Sequence, residues 1–272
     1  MADCGLLNLA SCLPQAFFNY IASIINAPVQ PLLSLNQNLL SINVDLSPFS
    51  SLWAIMIYIL SMFYALLILY SGFQFMTSGY DAVKRENAKS WLRNVVIMII
   101  LVQASFFIYS LVVGLSSSLT SATMTLVNNN FFYLTANSIT NIGLEIPLFS
   151  VYLLTLLLTA LLLIIRYGVV AVGVLLFPLG IFFYFVPPLR SYGMMLLNFV
   201  GIACFVTFFD AILLVGFSML VNISFFSNVQ IFVMIAAFTL VNIMMFMLMF
   251  FSIIKSAFNV GSKTATVIAK FA

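Results

Sequence analysis

Histidine is absent from this 272-residue chain, and acidic residues number only six. The commonest general base and metal ligand is therefore missing, and Cys4, Cys12 and Cys204 are not spaced as a thiolate metal site. No Gly-x-x-x-x-Gly-Lys-Ser/Thr loop occurs, and Gly261-Ser-Lys263-Thr lacks both the upstream glycine and a preceding strand. The few acids form no closely spaced couple for proton transfer. The expectation is a protein without catalytic residues, cofactor or metal, which would draw any work from a separate ATPase.

Charge of either sign is scarce: 6% of residues are charged against 64% hydrophobic, far outside the range of a soluble domain. Such a chain lives in lipid. Hydrocarbon offers backbone amides no water, so the apolar runs, continuous rather than alternating, must be helices. The fold class expected is all-α, a polytopic transmembrane bundle of five or six spans with a short N-terminal interfacial helix.

About 20 apolar residues cross a bilayer. Spans are expected near 52–75, 94–118, 195–221 and 230–254. The stretch from Pro147 to Pro188 is too long for one crossing at ~1.5 Å per residue, so two spans meeting near Arg166-Tyr167-Gly168 are expected. Six crossings would leave both termini outside, whereas Lys255, Lys263 and Lys270 favour a cytoplasmic tail. Either a half of 147–188 is re-entrant or strongly bent, which would restore the parity, or the tail departs from the positive-inside bias.

The domain plan is an extracytoplasmic or interfacial segment 1–50, a transmembrane domain 51–256, and a short basic tail 257–272. Within the first, Pro14, Pro28 and Pro31 break a moderately apolar stretch, 16–29, suited to lying at the membrane surface. It has no basic start and does not read as a cleavable signal. Cys4 and Cys12 fall on the outer side, where a disulfide is chemically allowed, though two cysteines carry no pattern.

Four of the nine basic residues, Lys84, Arg85, Lys89 and Arg93, crowd into the loop 77–93 beside only Asp81 and Glu86, whereas loop 120–147 carries Glu145 alone. The positive-inside bias puts 77–93 in the cytoplasm and 120–147 outside it. Asp81 is placed to cap a helix, on which Arg85, Lys89 and Arg93 recur every four residues as a basic stripe. A stripe beside a span serves as a topology anchor at the lipid surface, or else contacts nucleic-acid phosphates or an acidic partner.

Two ionisable residues fall at membrane depth, where a charge costs about 3 kcal/mol even on lenient scales. Arg166 reads either as a span-end arginine snorkelling to the headgroups or as a partner or lining of an aqueous path. Asp210, among Phe205, Phe208, Phe209, Leu213 and Leu214, has no interface to reach. It is either a pathway residue or a neutral hydrogen-bonded acid. The run Met244 to Met249 reads as flexible packing between helices.

The unit Tyr70-Ser-Gly72-Phe-Gln-Phe-Met76-Thr-Ser-Gly79-x-Asp81-x-x-Lys84-Arg85-x-x-Ala88-Lys89-x-x-Leu92, followed by an apolar span, resembles a paired-helix signature of membrane components in type IV secretion and conjugation systems. The run Arg166-Tyr-Gly-Val-Val, then Leu175-Leu-Phe-Pro178-Leu-Gly-Ile, then Val186-Pro187-Pro188-Leu-Arg190-Ser-Tyr192, resembles their TrbL-like polytopic inner-membrane subunit. The Cys4 to Cys12 segment is similar to archaeal, CedA-like DNA-import chains. The resemblance implies an oligomeric DNA-transfer subunit of the cell membrane, working with a hexameric membrane-associated ATPase and a small pilin-like membrane protein. The 77–93 region would then dock the ATPase or the DNA. The competing expectation is a small-solute or ion transporter built around Asp210, though broken helices with several polar residues would then be usual.

Overall fold

The computed structural model describes residues 9–79, 81–127, 129–132, 142–227 and 229–271, with the side chains of 9–19, 21, 22, 25, 129, 130, 142–146, 224, 227, 252, 253 and 255–271 outside that description. Among the described residues every regular element is helical: α1 Leu9–Ser41, α2 Ser50–Thr77, α3 Ala82–Gln103, α4 Ser105–Met124, α5 Ile142–Phe185, α6 Arg190–Leu220, the single turn α7 Ser224–Ser227, and α8 Gln230–Phe271. Five segments are long and apolar enough to cross a bilayer: Ser47–Thr77, Ser105–Met124, Pro147–Phe185, Pro187–Leu220 and Gln230–Phe251. The chain is an all-α, multi-pass membrane protein.

Three expectations are corrected. The stretch 147–188 is one unbroken helix, α5, rather than two spans or a re-entrant half. Length alone does not force a turn at 166–168, because surplus helix can leave the hydrocarbon or be absorbed by tilt, and one glycine without a neighbouring proline does not end a helix. The segment expected to break at its prolines is a 33-residue helix, α1. Val29, Leu33, Asn36 and Leu40 are buried along one face of it, while Pro28 and Pro31 lie exposed on the other. The bonds the prolines remove are therefore lost away from the packed side. Finally, the span expected at 94–118 is divided by a turn at Ala104 between α3 and α4. Cys4 and the side chain of Cys12 lie outside the described residues, as do the side chains of Lys255, Lys263 and Lys270.

Packing divides the chain into two compact units. The first holds residues 1–42, 117–165 and 206–246. Its loop 120–147 is not polar throughout, since Phe131 and Phe132 are buried, Phe131 against Phe132 and Phe132 against Phe238, which also meets Tyr152. The Phe131 carbonyl accepts from Gln230 Nε2 at 3.2 Å and the Phe132 carbonyl from Tyr152 Oη at 3.2 Å, which ties this turn to α8 and α5.

The second unit holds 43–116, 166–205 and 247–272. Ile57, Leu60 and Tyr64 of α2 pack on Val95, Met98 and Val102 of α3 and on Ile181 and Phe182 of α5. In lipid such contacts gain dispersion rather than hydrophobic free energy, so close approach matters more than area. The α5–α6 corner achieves it. Val186, preceding Pro187, is held extended at φ −87°, ψ 109°, which ends α5, and Pro187 and Pro188 start the next turn with no N–H to leave unbonded. The chain doubles back so tightly that a Cβ on Gly193 would lie 2.7 Å from the Gly180 carbonyl oxygen and meet the Tyr184 amide nitrogen.

Backbone atoms at such a site cannot swing aside, so Gly193→Ala should destabilise the protein by about 1–3 kcal/mol or more. Gly201→Ala, on the same helix with open space around its Cβ, should be neutral or stabilising by up to ~1 kcal/mol. Thermal unfolding of both variants in detergent checks the contrast.

Candidate functional site: a basic helix and a buried polar interior

Helix α2 ends at Thr77. Ser78 donates its N–H to the Gln74 carbonyl, and Gly79 follows with φ +30°, which only glycine adopts readily. Asp81 then caps α3 as its position suggests, its carboxylate accepting from the amides of Val83 at 3.0 Å and Lys84 at 3.3 Å. The loop expected at 77–93 is thus mostly helix.

Ala88, Val95, Met98 and Val102 form the buried face of α3, and Arg85, Lys89 and Arg93 are exposed on the side turned away from it. Lys84 is exposed and sits 3.8 Å from Asp81, a surface pair of little energetic weight. Four cations therefore stand within three turns, available to an anionic surface.

The buried cation lies elsewhere in the same unit. Arg166 is 4% exposed, in mid-helix rather than at a span end. Its Nε donates to the Ala203 carbonyl at 3.0 Å and its Nη2 to the Cys204 carbonyl at 2.9 Å. The snorkelling reading is therefore replaced by an internal one: α6 carbonyls use their second lone pair to solvate the guanidinium. Ser116 Oγ donates to the same Cys204 carbonyl at 2.6 Å, and Tyr109, fully buried beside Cys204, donates to the Val170 carbonyl at 2.6 Å. Cys204 itself is a buried free thiol, packed as a small apolar residue.

In the first unit the polar interior is almost entirely uncharged. Asp210 is completely buried, one turn beyond Thr207, whose hydroxyl lies 3.5 Å from that of Thr120. Asn36 and Asn242 donate to the carbonyls of consecutive α5 residues, Leu156 at 3.1 Å and Thr155 at 3.2 Å. Their positions carry no sequence motif; only their scarcity among apolar neighbours could have marked them. Of four polar residues in or beside apolar runs, Gln103 and Asn198 are exposed, Asn94 is half-buried and Asn242 is buried. Met245 and Met249 fill the interior, and Met247 faces outward.

No known protein family, curated protein or solved structure matches this chain.

The Asp81 cap sets where the basic helix begins. Asp81→Ala should cost about 1 kcal/mol and speed amide hydrogen exchange at Val83, Lys84 and Arg85, whereas Asp81→Asn should leave exchange near wild type. Exchange mass spectrometry on the detergent-solubilised protein reads both.

Proposed function

We propose that this chain is a membrane channel or assembly subunit of a type IV secretion-like DNA-transfer apparatus of the cell membrane, acting with a separate hexameric ATPase and a small pilin-like membrane protein. The observation that carries the reading is the exposed cationic side of α3, where Arg85, Lys89 and Arg93 stand clear of the packed face immediately before an apolar run. That surface suits the phosphates of a passing strand or an acidic patch on the ATPase. The order of glycines, acid and bases from Tyr70 to Leu92 that resembles conjugation components supports the same reading.

Assembly fits better than a self-sufficient pore. A polyanion conduit through one chain needs inward cations along its length, and among the described residues the buried charges are one base, Arg166, and one acid, Asp210. A homo-oligomer could enclose a path that no single chain contains. Five crossings with α3 in the cytoplasm put the C-terminal lysines on the cytoplasmic side, in keeping with the positive-inside bias.

Asp210 favours a second reading, a small-solute or ion transporter, because an ionisable residue fully buried in a membrane helix is a candidate for an ion or proton path. The two separate in one experiment. Changing Lys84, Arg85, Lys89 and Arg93 together to Gln should abolish or reduce by at least about tenfold the transfer of a DNA marker between cells, at unchanged membrane abundance. Normal transfer in a deletion strain would overturn the proposal, and loss of a cation-coupled solute flux in Asp210→Asn would favour the transporter.

A further inference from the structure

A cleft of about 380 Å³ opens in the second unit, lined by Trp91 and Asn94 of α3, Tyr184 and Phe185 at the end of α5, and Pro187 and Arg190 at the start of α6. Its polar lining consists mainly of donors. Arg190 is exposed, and its guanidinium is held over the Tyr184 ring at 5.0 Å, with Nη2 donating to the Tyr184 hydroxyl at 3.3 Å. Stacking and that single bond orient the guanidinium while leaving its other N–H groups available. The Asn94 side chain is half-buried in the lining, and the Trp91 indole N–H is buried without an acceptor among the described residues. Among the described residues the lining contains no acid.

Two features fix the chemistry of the occupant. The donor-rich, cationic lining selects an anion with several acceptor oxygens, and the planar guanidinium suits a phosphate. The position selects the anion's source. Along α3 the sequence passes from charged residues up to Arg93 to an unbroken apolar run from Val95, and Trp91 packs edge-on against Tyr70 at 6.0 Å. Trp and Tyr gathered where polar chain meets apolar chain mark the headgroup level of a bilayer. The cleft has the volume of a small-ligand site.

We infer that this cleft is a binding site for the phosphate headgroup of an anionic phospholipid, held by Arg190 and Asn94 against Trp91. It is independent of the DNA-transfer reading, since none of Lys84, Arg85, Lys89 and Arg93 lines it. A bound lipid at this point would brace α3 against the α5–α6 corner and make the setting of the basic helix depend on membrane composition.

The chain has two tryptophans, so Trp53→Phe in the full-length protein leaves Trp91 as the sole reporter. The protein in phosphatidylcholine nanodiscs would be titrated with phosphatidylglycerol brominated high on its acyl chains, and Trp91 fluorescence followed. Quenching should saturate, at a mole fraction roughly tenfold or more below that needed with brominated phosphatidylcholine. Arg190→Gln should raise the half-point about tenfold or more, and so should Asn94→Asp, which keeps the shape of the side chain while repelling an anion. Equal quenching by both lipids, or unchanged affinity in folded Asn94→Asp, would overturn the site. Displacement of the lipid by inorganic phosphate would assign the cleft to a free anion, and displacement by a single-stranded oligonucleotide to DNA; either result would overturn the lipid assignment.

Discussion

Hydrocarbon supplies no hydrogen-bond partner, and from that constraint most of this structure follows. Backbone groups pair within helices, which is why every regular element among the described residues is helical. Buried polar side chains then face the same shortage, and many solve it in one way, by donating to carbonyl oxygens of neighbouring helices. Asn36 and Asn242 use α5, Tyr109 uses Val170, and Arg166 and Ser116 converge on the Cys204 carbonyl. A helical carbonyl retains a second lone pair after its own i+4 bond, so these donors are satisfied without breaking a helix. Arg166 can therefore sit in mid-helix, and α5 can run through it.

Much of this was legible in the sequence because it depends on local chemistry. Composition implied the membrane, continuous apolar runs implied helices, and the span end expected near 75 lies two residues from the end of α2, with Asp81 capping α3 as its position suggested. What escaped depends on contacts distant in sequence. Pro14, Pro28 and Pro31 read as breakers because their local effect is known, but the face on which Pro28 and Pro31 fall relative to the packed side of α1 is not a local property. Phe131 and Phe132 sat in an apparently polar loop, and only Gln230 and Tyr152, 99 and 20 residues away, explain their burial. Arg166 read as a span end because its acceptors, Ala203 and Cys204, lie on another helix.

The same distant contacts bear on topology. Trp91 and Asn94, following the α2–α3 turn, share one cleft with Tyr184 and Arg190 at the α5–α6 corner. Those two turns must then lie on one side of the bilayer, which an even number of crossings between them allows and three would forbid. One crossing by α4 and one by α5 meet that condition; the division of α5 into two spans does not. If each of the five candidate spans crosses once, the start of α2 and the end of α8 lie on opposite sides, and α3 begins on the side where α8 ends.

Site-directed labelling of this arrangement is the most direct test. In a background with Cys4, Cys12 and Cys204 changed to Ala, single cysteines at Asn87, Leu126 and Tyr192 would be exposed to a membrane-impermeant maleimide on intact cells and again after permeabilisation. Five crossings with a cytoplasmic basic helix predict that Leu126→Cys labels on intact cells, whereas Asn87→Cys and Tyr192→Cys label only after permeabilisation. Labelling of Tyr192→Cys from outside while Asn87→Cys stays protected would contradict the single crossing of α5 and the shared cleft with it.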